Sequence, residues 1–169
     1  RGDLILRSSD PIDFFVMEVF LRYISSVFDA MFPLLNRETY DGRAVISVEE
    51  SSKVLHPLLS IIYHHIDELD MRDCDMYKNV VVSTRKYKMA TIEKKLHKQA
   101  AVSPLIMKEP LYVFIAATAV GWSNVTKMAA PNTLLQPLCD MACTKEFGHI
   151  TGADLYHLVQ FRFKCGEAA

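Results

Sequence analysis

The 169-residue sequence has little glycine, six residues dispersed along the chain. A phosphate-cradling loop needs glycines close together so that backbone N–H groups can approach the anion, so this scarcity argues against a nucleotide-binding loop. Neither sign of charge dominates. There are 19 Lys and Arg against 20 Asp and Glu, a formal net charge of −1, and no global field draws nucleic acid or an anionic membrane. No apolar run approaches the roughly 20 residues that span a bilayer. The opening Arg1 to Leu6 is charged and short, which predicts that it is not a secretory signal. The four cysteines, Cys74, Cys139, Cys143 and Cys165, are few and unevenly spaced. That usage predicts free thiols in a reducing, intracellular compartment, cytoplasmic or nuclear.

What is present is enough apolar residue for a core without staples: 50% hydrophobic and 23% charged. Asp3 to Arg7 and Asp13 to Met17 are short apolar segments around Ser-Asp-Pro, strong turn chemistry, and together predict a β-hairpin. A short helix is expected through Phe20, Leu21 and Ile24. Ser25 or Ser26 can cap a second one carrying Val27, Phe28, Met31, Phe32 and Leu35, with Pro33 in its last turn. Asp41-Gly42 signals a turn, and Ala44 to Val48 a third strand. Ser51 or Ser52 then caps an amphipathic helix through Val54, Leu55, Leu58, Leu59, Ile62 and Tyr63. Two further helices are expected over Met76 to Lys88 and Thr91 to Gln99. From Ser103 the pattern is wholly helical, with Pro110 in a first turn, Gly121 as a terminator, Pro131 stopping a helix near Ala130, and a last helix capped by Thr151 and ended by Gly166. The fold class is therefore α+β: a small sheet with helices over residues 1–100, followed by an all-helical extension over 101–169.

Chemistry-bearing residues are sparse in pattern. Cys139-x-x-x-Cys143, with His149, His157 and Cys165 nearby, lies within the loose limits of zinc spacing. It lacks a second Cys pair at matched spacing, and the simpler reading places both cysteines on one core-facing helix side. His64-His65 point apart and make a poor bidentate site. Arg85 to Lys98 (RKYKMATIEKKLHK) is the one basic cluster. Apart from Tyr87 it lacks interleaved aromatics, and it reads as a solvated helix face over Ile92 and Leu96. Met107, Met128 and Met141 read as core filler. No cofactor, metal or catalytic residue is expected, and a metal- or thiol-dependent enzyme using Cys139, Cys143 and His149 is the remote alternative.

One set of segments carries a resemblance. Asp3-Leu4-Ile5-Leu6, Phe14 to Val16, Phe20-Leu21, Ser25, Phe28 and Met31-Phe32 look like the start of a BTB/POZ domain. DGRAVISV resembles that family's third strand, and Lys86-Tyr87-Lys88-Met89 a run in its later helix pair. The chain is most similar to the large group of fungal BTB proteins, through Arg7 to Phe14, Glu109 to Trp122 and Leu155 to Ala169. The resemblance implies a BTB/POZ-like sheet clad by helices and a non-catalytic protein-interaction module. Such a module acts as a substrate adaptor of a cullin-RING ubiquitin ligase or, alternatively, as a scaffold in a transcriptional or chromatin assembly.

The family pattern also implies site residues and departures. Cullin binders carry a hydrophobic-x-Glu element after the second helix. The segment here is Leu34-Leu35-Asn36-Arg37-Glu38, hydrophobic-x-x-Glu, so Leu35, Arg37 and Glu38 are the expected partner loop. Asp3, Glu18, Phe20 and Tyr23 are the expected self-association face. Where the family has a basic residue beside the strand-one Asp, this chain has Met17-Glu18, and two neighbouring carboxylates repel or share a proton. The helix that precedes strand one in many relatives of that family has no counterpart, because the sequence begins at the strand. Both departures predict a weakened homodimer.

Overall fold

The computed structural model describes residues 2–32, 38–137 and 145–167. The chain is α+β, with a four-stranded mixed sheet near its start and a mostly helical remainder. Among the described residues no helix is long and apolar enough to cross a membrane. Two compact units are distinguished, Arg1–Leu69 with Asn79–Lys95, and Asp70–Lys78 with Leu96–Ala169.

In the first unit the apolar run Leu4-Ile5-Leu6 forms β1 (Leu4–Arg7), each of the three almost wholly buried, so β1 is covered on both faces. It pairs antiparallel with β2 (Asp13–Val16), with Leu4 opposite Val16 and Arg7 opposite Asp13. The Arg7 guanidinium forks onto the Asp13 carboxylate at 2.7 and 2.9 Å across that register. The hairpin turn is closed by Ser8, whose hydroxyl accepts the Ile12 N–H at 3.0 Å. Two short helices follow, α1 (Glu18–Ile24) and α2 (Ser26–Met31). The chain then returns as a hairpin of β3 (Glu38–Tyr40) and β4 (Arg43–Ser47), and β4 lies parallel to β1, giving the order β2-β1-β4-β3.

β3 is a strand beyond the three expected. Its three residues were too few to carry an alternating pattern, yet Asp41-Gly42 marks it. Both residues have positive φ, 51° and 71°, the backbone of a tight two-residue hairpin turn, which requires a strand on each side. The second helix also differs: α2 ends at Met31, and Pro33 and Leu35 lie outside the described residues.

α3 (Ser52–Ile62) buries Leu55, Leu58, Leu59, Ile61 and Ile62, and tolerates Pro57 inside it. Its cap is not a serine of its own. Ser51 makes no side-chain cap bond. The Asp10 carboxylate, in the β1–β2 turn, accepts the Ser52 N–H at 2.7 Å and the Ser52 hydroxyl at 2.6 Å. Those bonds, with one from the Ser8 hydroxyl, hold the Asp10 carboxyl down at about 2 from an ordinary 3.8. α4 (Cys74–Lys86) and α5 (Ala90–Val102) meet at a turn through Lys88, whose φ is 51°. At that turn the Tyr87 ring stacks on Phe28 at 4.6 Å. The buried Ser25 hydroxyl donates to the Tyr87 carbonyl at 2.6 Å and accepts the Phe28 N–H at 3.1 Å, capping α2. Burial pushes the Glu50 carboxyl up, but hydrogen bonds from Lys86 and Tyr87 outweigh it and leave Glu50 below its ordinary range.

The second unit is built on α7 (Pro110–Ala119), preceded by α6 (Leu105–Lys108) and followed by α8 (Ser123–Asn132). Seven of the ten α7 residues are buried, so this helix is central and not amphipathic. Gly121, at φ 76°, turns the chain between α7 and α8. The ring of Trp122 meets Tyr77 and His97 edge-on at 6.1 and 4.9 Å. Pro131 lies in the last turn of α8, which runs to Asn132 and not to Ala130. The last helix, α9 (Gly152–Glu167), starts in a reciprocal Thr151–Asp154 box and continues through Gly166, which is not its terminator. Met107 and Met128 are exposed, contrary to the expected core role, and Met141 lies outside the described residues.

Two outcomes follow. Ser25→Ala strands a buried N–H and a buried carbonyl and is expected to cost about 2 kcal/mol in urea unfolding with an unchanged m-value. A loss below about 0.5 kcal/mol would show that the link is replaceable. The Asp10 carboxyl is expected to titrate near 2 in the native protein, and in Ser52→Ala to move back towards 3.8, read by carboxyl NMR. Its native pKa lies below the unfolded one. Its contribution to stability is therefore complete above the unfolded value and lost as pH falls through about 2. A native midpoint near 3.8 would contradict the long-range cap.

Candidate interaction surface

The surface begins with how α1 is started. Met17 stands at its N-cap and offers no side-chain acceptor. Asp3, one residue before β1, supplies one instead, accepting the Glu18 N–H at 2.8 Å. The Met17 N–H donates to the Tyr63 hydroxyl at 2.8 Å. Burial raises the Tyr63 phenol above its ordinary range. The Met17 bond acts the other way, and the nearby Asp3 adds to the rise. The hairpin and the residue after α3 therefore fix the start of α1 between them.

Only Leu21 of α1 is buried, and it anchors the helix inward. Val19, Phe20 and Tyr23 are 59, 46 and 88% exposed, with Tyr23 four positions after Val19 and three after Phe20, so that it neighbours both on one side of the helix. The Phe20 ring meets Tyr63 edge-on at 5.6 Å. Beside them is an open depression of about 500 Å³ lined by Asp3, Glu18, Val19, Arg22, Tyr23 and Asp29. Arg22 Nε lies 2.7 Å from Asp29 Oδ1, and its Nη1 3.7 Å from Glu18 Oε1. The Asp29 hydrogen bond is the main reason the guanidinium is held above its ordinary range.

Of the expected self-association residues, Asp3, Glu18 and Tyr23 thus converge on one depression, and Phe20 lies on the adjoining helix face. Asp3 is used as a cap for the Glu18 backbone, and the Glu18 carboxylate faces Arg22. Sequence reasoning missed Arg22 and Asp29. The signal for Arg22 was present, since it stands four residues after Glu18 on one helix. Asp29 had no such signal, because it comes from α2. Leu35 and Arg37 lie outside the described residues, and of Glu38 only the backbone is described, opening β3.

Among the described residues the other candidates do not assemble. Cys139 and Cys143 lie outside the described residues, and among those described there is no group of three metal-ligating side chains. Burial pushes the Cys74 thiol up to about 12, and its Sγ lies 3.4 Å from the Met71 carbonyl, the setting of an inert thiol. The basic segment is a paired helix face: Arg85 with Glu93 and Lys86 with Glu49 and Glu50, over buried Ile92 and Leu96. His64 and His65 are exposed in a turn. In the second unit a cavity of about 190 Å³ lies among Phe114, Thr118, Thr126, Ala130, Leu158 and Phe161, with Asp154 and His157.

No protein-family model matches the chain. No curated protein matches it significantly either.

Tyr63→Phe keeps the ring against Phe20 and removes the acceptor of the Met17 N–H. It is expected to cost about 1 kcal/mol and to speed hydrogen exchange at Met17 and in the first turn of α1, with β1 unaffected. Unchanged exchange at Met17 would show that Tyr63 does not hold this end of the helix.

Proposed function

We propose that the chain is a non-catalytic protein-interaction module of the BTB/POZ type, and that the outward face of α1 is its contact surface. The observation that carries this reading is the exposed Val19, Phe20 and Tyr23 on one helix side, next to a depression bordered by charge. Large aromatic side chains beside polar groups are the composition of an interface core and its rim. The element order supports the BTB/POZ assignment: a hairpin, two short helices, a strand returning parallel to the first, then helices. The resemblance of the Asp3 to Phe32 segment points the same way.

Within that reading the protein serves as a substrate adaptor, with the segment containing Leu35, Arg37 and Glu38 meeting a cullin scaffold and the α1 face free for a second contact. Immobilised cullin N-terminal domain is expected to retain the wild-type protein. Leu35→Asp is expected to abolish retention, and Tyr23→Ser to leave it unchanged. Failure of the wild-type protein to bind at high micromolar concentration would remove the adaptor role.

A further inference from the structure

The second unit holds a cavity of about 190 Å³ that a protein contact on α1 leaves unused. Its walls come from three helices, each giving residues three or four positions apart. Phe114 and Thr118 lie on α7, Thr126 and Ala130 on α8, and Leu158 and Phe161 on α9. We infer that this cavity binds a small aromatic molecule carrying one hydroxyl or N–H donor. Nothing in this depends on the α1 face.

The space has a packing cause. Leu158 is buried and seats α9, and one turn further on the Arg162 guanidinium donates to the Thr133 carbonyl and, at 2.7 Å, to the Gln136 carbonyl. Those two anchors fix the helix. Across from it, α7 and α8 present the short side chains of Thr118, Thr126 and Ala130, which leave room that a larger residue would fill. Phe114, Leu158 and Phe161 supply apolar walls. An apolar cavity of about 150 Å³ is large enough to hold benzene. A volume of about 190 Å³ therefore takes one aromatic ring with a small substituent.

The polar groups decide what that substituent must be. The Thr126 hydroxyl donates to the Trp122 carbonyl at 3.2 Å, since a carbonyl can only accept. Its single proton is then committed, so in the 3.3 Å contact between the two hydroxyls Thr118 is the donor. The pair is left with acceptor lone pairs and no free proton. Asp154, also in the lining, is a further acceptor: hydrogen bonds from Thr151 hold its carboxyl below the ordinary range, so it is ionised at neutral pH. Among the described residues of the lining only His157 keeps a ring N–H able to donate, and it is exposed. A ligand carbonyl or carboxylate would therefore meet acceptors. An O–H or N–H instead finds the Thr118 oxygen as its partner, and the ring covers the apolar walls.

Phenol and benzonitrile are matched probes, each one ring with one polar substituent, a donor in the first and an acceptor alone in the second. They are titrated into the full chain, and binding is read from the methyl shifts of Thr118, Thr126, Ala130 and Leu158. Phenol is expected to saturate those shifts and to bind about tenfold more tightly than benzonitrile. Thr118→Val keeps the shape of the side chain and is expected to remove that preference. Ala130→Phe fills the cavity and is expected to abolish binding of both probes, with an unchanged circular dichroism spectrum. Equal binding of the two probes, or a preference that survives Thr118→Val, would overturn the donor requirement and with it the inference. Methyls that neither probe moves at millimolar concentration, or a folded Ala130→Phe variant that binds phenol as the wild type does, would show that the cavity is not a site. If Ala130→Phe does not fold, the Thr118→Val comparison decides alone.

Discussion

β1 must be paired on both edges and covered on both faces, and the first unit is organised by that requirement. Leu4, Ile5 and Leu6 are almost fully buried. Their backbone groups have no water to turn to, so β2 and β4 must supply the hydrogen bonds. Pairing with β2 sets the hairpin, and the hairpin sets two carboxylates at its opposite ends. Asp10 at the turn starts α3 through Ser52, and Asp3 at the open end starts α1 through the Glu18 N–H. Two helices thus take their first turns from one strand pair. Neither has a cap bond from the residue at its own N-cap position, so their placement depends on the register of β1 with β2.

That dependence explains the make-up of the exposed α1 face. A seven-residue helix is too short to be stable from its own hydrogen bonds. α1 is held by Leu21 inside, by Asp3 and Tyr63 at its start, and by Arg22 bridging to α2. With so few contacts directed inward, the remaining side is free to carry Val19, Phe20 and Tyr23 outward. The charges that steady the helix end are the same ones that border the depression. Glu18, at the place where the resemblance leads one to expect a basic residue, stands 3.7 Å from Arg22 of its own helix.

Much of the order of elements was legible, and each success has a local cause. The Ser8–Ile12 turn, the Ser25 cap, the Lys88 break, the Pro110 start and the Thr151 box all rest on groups within a few residues of one another. The misses have non-local causes. β3 is three residues long and exists because β4 offers it an edge. Gly166 and Pro131 carry strong terminating preferences, yet each lies inside the final turns of its helix, where few backbone bonds depend on it. Met107 and Met128 are apolar residues that packing left outside, on helices whose neighbours already fill the core. Asp3, Glu18, Phe20 and Tyr23 were named from the resemblance, and the first two and Tyr23 line one depression. Asp29 was not, because its link to Arg22 crosses from α2 to α1.

The sequence alone determined the α+β class, the hairpin, the helix starts and the balance of charge, since these follow from backbone preferences and hydrophobic spacing over short stretches. Tertiary structure decided which carboxylate caps which helix, which apolar residues stay outside, and that Asp3, Glu18 and Asp29 border one depression together with Arg22. Those outcomes join residues from separate elements. Distance between elements is set by the pairing of β1 and the packing around it, and local sequence carries no measure of it.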